Sequence, residues 1–150
     1  MRHRAAGCGA LPDPIHRHDL TAIIPTVGRP RPLERSLRSL AAQSVLPAAV
    51  IVVHSGHDAE TVEVCRRRFP GLTIEYCHST ESGAALQRDF AIRRVSTPLL
   101  LMCEDDVEFG PDWVATLLRV VESDAGVGAA MGRITNQPFL SAPGIWRLYR

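Results

Sequence analysis

Glu104, Asp105 and Asp106 stand side by side directly after the apolar run PLLLMC, residues 98–103. Three adjacent carboxylates repel one another, so folding alone gives no reason to gather them. Two readings stay open. One is a solvated acidic turn that caps the next helix and is helped by its N-terminal dipole. The other is a divalent cation shared by the acids. Carboxylate oxygens suit hard Mg2+ or Mn2+, and Mg2+ commonly combines one or two carboxylates with substrate phosphates, so a diphosphate would complete the shell.

The elements that must position these acids are readable as alternating units. LTAIIP (20–25) is a short β-rich run ended by Pro25, followed by the loop TVGRPRP, in which Pro32 suits the first turn of a helix. Leu33, Leu37, Leu40 and Ala41 then recur at helical spacing. AVIVV (49–53) has strand length, and Asp58 in the following HSGHDAE loop suits the cap of a second helix that stops at Phe69, Pro70 and Gly71. LTIEYC, HSTESG and AALQRDFAIRRV repeat strand, loop and helix. PLLLMC is apolar at every residue, as expected of a central parallel strand covered on both faces. Trp113, Val114, Leu117, Leu118 and Val121 form another helical stripe, and VGAAMGRI (127–134) is a candidate fifth strand.

Strand and helix in alternation predict an α/β fold, an open and mostly parallel sheet with helices on both faces. Ligands of such sheets bind outside the carboxyl ends of the strands. The segments Thr26–Arg29, His54–His57, His78–Gly83 and Glu104–Asp106 should therefore share one edge.

Absent motifs narrow the chemistry. There is no GxGxxG after the first strand and no GxxxxGK[ST], which counts against a dinucleotide oxidoreductase and excludes a P-loop ATPase. No GxSxG elbow is present. An Asp-based phosphatase would need its acid where this chain has Pro25 and Thr26. All 17 basic residues are arginine, the net charge is +1, and no basic stripe suggests nucleic acid. Cys8, Cys65, Cys77 and Cys103 form no CxxC pair, a pattern expected of reduced thiols in the cytoplasm. No run reaches the roughly 20 apolar residues of a membrane span. His16 and His18 are expected to be solvated.

Taken together, IIPTVGRPRPLERSLRSLAAQS, VIVVHSG, GAALQRDFAI and LLLMCEDDVEFGPDWV, in this order and spacing, resemble family 2 glycosyltransferases over about Thr21 to Arg133. The resemblance implies the Rossmann-like nucleotide-diphospho-sugar transferase fold and transfer of a sugar, with inversion, from a nucleotide-sugar donor to an acceptor hydroxyl. The family's Pro-Thr-x-x-Arg pattern falls on Pro25, Thr26 and Arg29, against the nucleotide. Its Gly-x-x-x-x-Arg-Asn helix falls on Gly83 and Arg88, with Asp89 in place of Asn, and implies diphosphate contacts. Glu104, Asp105 and Asp106 fill the acidic triplet: Asp106 as ligand of Mg2+ or Mn2+, Asp105 on the ribose or assisting the metal, Glu104 beside the donor.

Two departures qualify this. The usual Asp-Asp-Gly-Ser after the second strand is His54, Ser55, Gly56 and His57 here, so both acids are missing and Ser55 alone could hydrogen-bond a base. The general base normally follows the triplet at a distance, yet after Val121 only Glu122 and Asp124 remain, and neither fits. The expected organisation is a flexible leader (1–19), a nucleotide-sugar-binding domain (20–135) and an irregular start of a missing acceptor part (136–150), hence an N-terminal fragment incomplete at its C-terminus. Expected partners are the donor and a glycan or lipid-linked acceptor, in the cytoplasm or at the inner membrane face. Two rival readings are a metal-dependent nucleotidyltransferase and a non-catalytic nucleotide-sugar-binding remnant.

Overall fold

The computed structural model describes residues 15–135. The chain runs β1 (Ile15–Thr26), α1 (Pro30–Ala41), β2 (Val45–His54), α2 (Ala59–Arg66), β3 (Ile74–His78), α3 (Ala84–Ile92), β4 (Leu99–Met102) and α4 (Trp113–Glu122). Every strand pairing is parallel, in the order β3-β2-β1-β4. Alternation along the strands sorts side chains onto two faces. Ala22, Ile24, Val50 and Val52 join Leu33, Leu37 and Leu40 of α1, Val64 of α2 and Val114 and Leu118 of α4. Ile23, Ile51 and Val53 turn the other way and pack on Ala91 and Phe90 of α3. Each fully buried Leu or Ile contributes about 1.5–3 kcal/mol by leaving water.

The strand order explains why α3 is on the opposite face. From β1 to β2 to β3 the chain steps one way across the sheet with α1 and α2 on one side. The return to β4, beyond β1, reverses direction, and same-handed crossovers then require the connecting helix to change sides. The reversal leaves a crevice between the ends of β1 and β4, the place where such sheets take ligands.

Local signals behave as their chemistry requires. Pro30 and Pro32 lie in the first turn of α1, where a missing amide hydrogen does no harm. Asp58 caps α2 by accepting from the Thr61 amide at 2.8 Å. His16 and His18 are exposed. Among the described residues no helix is long and apolar enough to cross a membrane.

Three expectations change. β1 begins at Ile15, before the expected Leu20, and pairs with β2 on both sides of a register shift between Arg17 and Thr21. β4 is an edge strand of the described sheet, not a central one. Leu101 faces one core and Leu100 the other, but only β1 flanks it, and Met102 is 56% exposed. Its apolar run reflects two covered faces rather than two paired edges. Residues 127–134 form no strand; Met131 is 93% exposed, and Gly132 lies against the Trp113 indole instead of extending the sheet.

Two buried polar groups tie the strand ends together. Gln87 of α3 donates through Nε2 to Thr26 O and Val53 O, both at 2.8 Å, so one amide bridges the tips of β1 and β2. His54, wholly buried at the tip of β2, lies 3.2 Å from the Tyr76 hydroxyl and 2.9 Å from Asp58 Oδ2. Gly56 passes over this imidazole so closely that a Cβ would lie 2.5 Å from Nε2. Gly56→Ala should therefore lower unfolding free energy in urea by about 1–3 kcal/mol through overpacking. Gly110→Ala, where a Cβ meets nothing within 4 Å, should stay within about 0.5 kcal/mol of the parent.

Candidate functional site

The acids at the end of β4 are not left to repel one another. Asp105 is turned inward, its side chain 6% exposed, and both oxygens are engaged. Oδ2 accepts from the Thr26 hydroxyl at 2.7 Å and Oδ1 from Arg29 Nη1 at 2.7 Å. Arg29 also reaches Asp106 Oδ2 with Nη1 and Nη2, each at 3.0 Å. The hydrogen bond to Asp105, with the charges of Asp105 and Asp106, holds the guanidinium above its ordinary pKa. Arg88 of α3 pairs with Glu104. Thus each acid has a cationic partner, drawn from the loop before α1 and from α3.

The loop that follows the acids is held by α1. Ser36 and Ser39 share one face of α1, and Gln43 lies just past its C-terminus, with Nε2 donating back to Ser39 O at 3.1 Å. The Ser36 hydroxyl donates to Val107 O at 2.6 Å, Ser39 Oγ accepts from the Phe109 amide at 3.0 Å, and Gln43 Nε2 donates to Gly110 O at 2.6 Å. Gln43 Oε1 also accepts from the Val114 amide at 3.0 Å, satisfying one orphan donor at the start of α4. Sequence reading singled out none of these three residues. The signal was present in SLRSLAAQS, as a polar stripe beside the apolar one.

The remaining predicted positions are placed unequally. Pro25 is a buried strand residue opposite Val53, and Thr26 is buried with its hydroxyl committed to Asp105. Ser55 Oγ is buried without a hydrogen-bond partner among the described residues. Gly83 caps α3 with φ +125°, a left-handed value that favours glycine, and nothing lies within 4 Å of where a Cβ would be. His54 is held by an acid, Asp58, whose Oδ2 lies 2.9 Å from Nε2. His57 and His78 are exposed beside each other, with ring centroids 5.7 Å apart. Cys103 is no nucleophile, because burial first, and Glu104 second, push its thiol up to about 12.

The donor set suits a hard cation only in part. Among the described residues no cluster of three or more His, Cys, Asp or Glu is arranged to hold a metal, so the chain alone supplies no full shell. Asp106 is 48% exposed, and its Oδ1 accepts no hydrogen bond among the described residues. It fits an Mg2+ or Mn2+ whose other ligands come from substrate or water. Asp105 offers no free oxygen while Thr26 and Arg29 are bound. Neither late acid approaches this edge as a base. Glu122 pairs with Arg17 at 2.7 Å, near the start of β1, and Asp124 accepts from the Gly126 amide.

Replacing Asp105 with Asn keeps its shape but removes the charge that holds Arg29. The expected loss is about 1–3 kcal/mol of unfolding free energy, the worth of buried hydrogen bonds to a charged group, read by urea denaturation. Asp106→Asn, at an exposed position, should change stability by about 0.5 kcal/mol or less.

Comparison with known proteins bears on family and fold. Residues 21–145 match the family described as Glycosyl transferase family 2. Over 117 residues the chain is 31% identical to a validoxylamine A glucosyltransferase of Streptomyces hygroscopicus subsp. limoneus, covering 75% of this chain and 26% of that relative. The match thus spans about a quarter of the relative's length. Among solved structures, TarS of S. aureus shares the fold with a TM-score of 0.58 at 18% identity, over 70% of this chain and 20% of TarS. The mannosyltransferase PcManGT from Pyrobaculum calidifontis, solved with GDP-Man and Mn2+, gives a TM-score of 0.52 at 26% identity, over 64% of this chain and 30% of its own. The parallel sheet, the loops at its carboxyl edge and this match lead to one assignment: the chain belongs to glycosyl transferase family 2.

Proposed function

We propose that this chain forms the donor side of a metal-dependent, inverting glycosyltransferase, binding a nucleotide-diphosphate sugar whose hexosyl group passes to an acceptor hydroxyl. The observation that carries the reading is the convergence of Arg29, Arg88 and the three acids at the β1/β4 crevice. Guanidinium forks match the oxygens of a diphosphate, and a carboxylate with a free oxygen matches the cation that accompanies it. The mannosyltransferase solved with GDP-Man and Mn2+ supports both halves of this reading.

Roles follow from what each side chain already touches. Arg29 and Arg88 bind the diphosphate and keep it oriented at the crevice mouth. Asp106 holds the cation, which when bound supplies charge neutralisation of the departing nucleoside diphosphate. Asp105 is a positioning residue: it fixes Thr26 and Arg29 and thereby the floor of the crevice. Glu104 sets Arg88. Pro25 and Thr26 shape the nucleotide floor through the backbone, and Gly83 brings the start of α3 toward the donor. Ser55, just past the tip of β2, lines the base subsite through its backbone, its hydroxyl being buried.

The general base and the acceptor subsite, for a glycan or a lipid-linked hydroxyl, lie outside the described residues in this reading. Action in the cytoplasm or at the inner membrane face fits that acceptor class. A second reading, donor binding without transfer, draws on one observation: the acids after Val121 face away from the crevice.

Calorimetric titration with nucleoside diphosphates tests the proposal. With Mn2+ the chain should bind one of UDP, GDP, CDP or dTDP at least about tenfold more tightly than with EDTA, and Asp106→Ala should abolish that difference. Equal affinities in all three conditions would sink the metal-dependent donor site.

A further inference from the structure

The crevice neutralises itself in a way that bears on how it takes its ligands. Arg29 Nη2 lies 3.0 Å from Asp106 Oδ2, and Arg88 is bonded to Glu104. The side chains of Arg29, Asp106 and Glu104 are each about half exposed, and that of Arg88 is 29% exposed, so these pairs sit at the mouth where a ligand arrives. Asp105 differs, since it is buried and bound to Thr26 as well. Arg29 belongs to both levels: Nη1 stays 2.7 Å from buried Asp105 Oδ1 while the guanidinium also reaches Asp106 at the surface, so only its contact with Asp106 is open to exchange.

The two ligand classes need opposite halves of those pairs. A diphosphate is bound best by guanidinium forks, a divalent cation by carboxylate oxygens. In the free chain one oxygen of each outer acid, Asp106 Oδ2 and Glu104 Oε1, is engaged by a guanidinium that a diphosphate would want. Formal charge points the same way. Three carboxylates and two guanidiniums leave one net negative charge. A divalent cation alone turns this to one positive, with Arg29 beside the metal. A doubly charged diphosphate alone leaves three negatives crowded together. Both ligands together restore a single negative charge, and like charges held close are costly.

We propose that Arg29 and Arg88 are exchangeable counter-ions. In the free chain they occupy one oxygen each of Asp106 and Glu104 and set a positive charge beside it, and the donor's diphosphate draws them off and frees the acids. Cation binding is then strengthened by diphosphate. Half-exposed ion pairs are worth little, so the exchange is not blocked energetically. Because coupling is reciprocal, the cation strengthens diphosphate binding by the same factor. This rests on reading the crevice as the donor and cation site.

The test uses Mn2+ alone, with no nucleotide, titrated calorimetrically into the parent chain and three variants. Direct binding of Mn2+ to a diphosphate in solution then plays no part. Arg29→Gln should bind Mn2+ about tenfold more tightly than the parent, and Arg88→Gln a fewfold more tightly. Arg66→Gln, which removes the same charge from a pair with Glu63 on α2, should leave Mn2+ affinity unchanged. Thermal unfolding checks that each variant is folded. If Arg29→Gln is not, Arg88→Gln, at a surface pair, carries the test alone. Unchanged or weaker Mn2+ binding in the crevice variants overturns the exchange, as does an equal gain in Arg66→Gln. The donor reading fails separately, if the parent's nucleotide binding is insensitive to Mn2+.

Discussion

The site depends on a buried carboxylate. Asp105 joins the tip of β1 to the tip of β4 across 79 residues of sequence, through the Thr26 hydroxyl and the Arg29 guanidinium. A carboxylate with so little solvent is tolerated only where its oxygens are satisfied and its charge is matched. Thr26 and Arg29 do both. In exchange they are held in place, so the floor of the crevice and its cationic wall are set by one group. The strand order makes this geometry available, because β1 and β4 are neighbours at the point where the chain reverses direction across the sheet.

Around that anchor, polar side chains do what apolar packing cannot. Ser36 and Ser39 of α1, with Gln43 just past its end, take up carbonyls and amides of the loop after the acids, and Gln87 of α3 bridges the tips of β1 and β2. Hydrophobic contact is non-directional and fixes the layers. Hydrogen bonds to backbone fix the path of the loops between them. The crevice is built from both faces of the sheet, with α1 supporting the acids and α3 delivering Arg88. Its electrostatics follow: the outer acids and arginines answer one another at the surface while Asp105 stays committed inside.

Much of this was legible in order of residues alone. Alternating apolar runs and helical stripes gave the α/β class, the strand-end rule placed Thr26, Arg29, Gly83 and the acids on one edge, and the family resemblance added Arg88. The second-strand tip was read less well. HSGHD looked like a loop bearing stray histidines, whereas His54 closes a buried chain from Tyr76 to Asp58. Nothing in the local pattern distinguishes a histidine at a strand end that is covered from one that is wet. Likewise LLLM reads as central because hydrophobicity reports covered faces, while centrality concerns paired edges, and VGAAMGRI carries enough apolar residues to suggest a strand that its glycines and exposure do not support.

Sequence by itself determined the period of each element, the turn chemistry between them and which residue types reach the ligand edge. These are local properties, set by side-chain pattern and backbone sterics within a few residues. The tertiary structure decided who partners whom. Whether three neighbouring acids meet water, a cation or arginines depends on side chains 16 to 77 residues away, brought together only when the sheet forms. Asp105 and Asp106 are chemically alike and adjacent in the chain; burial against Thr26 makes one an anchor, and exposure at the mouth leaves the other available to a ligand.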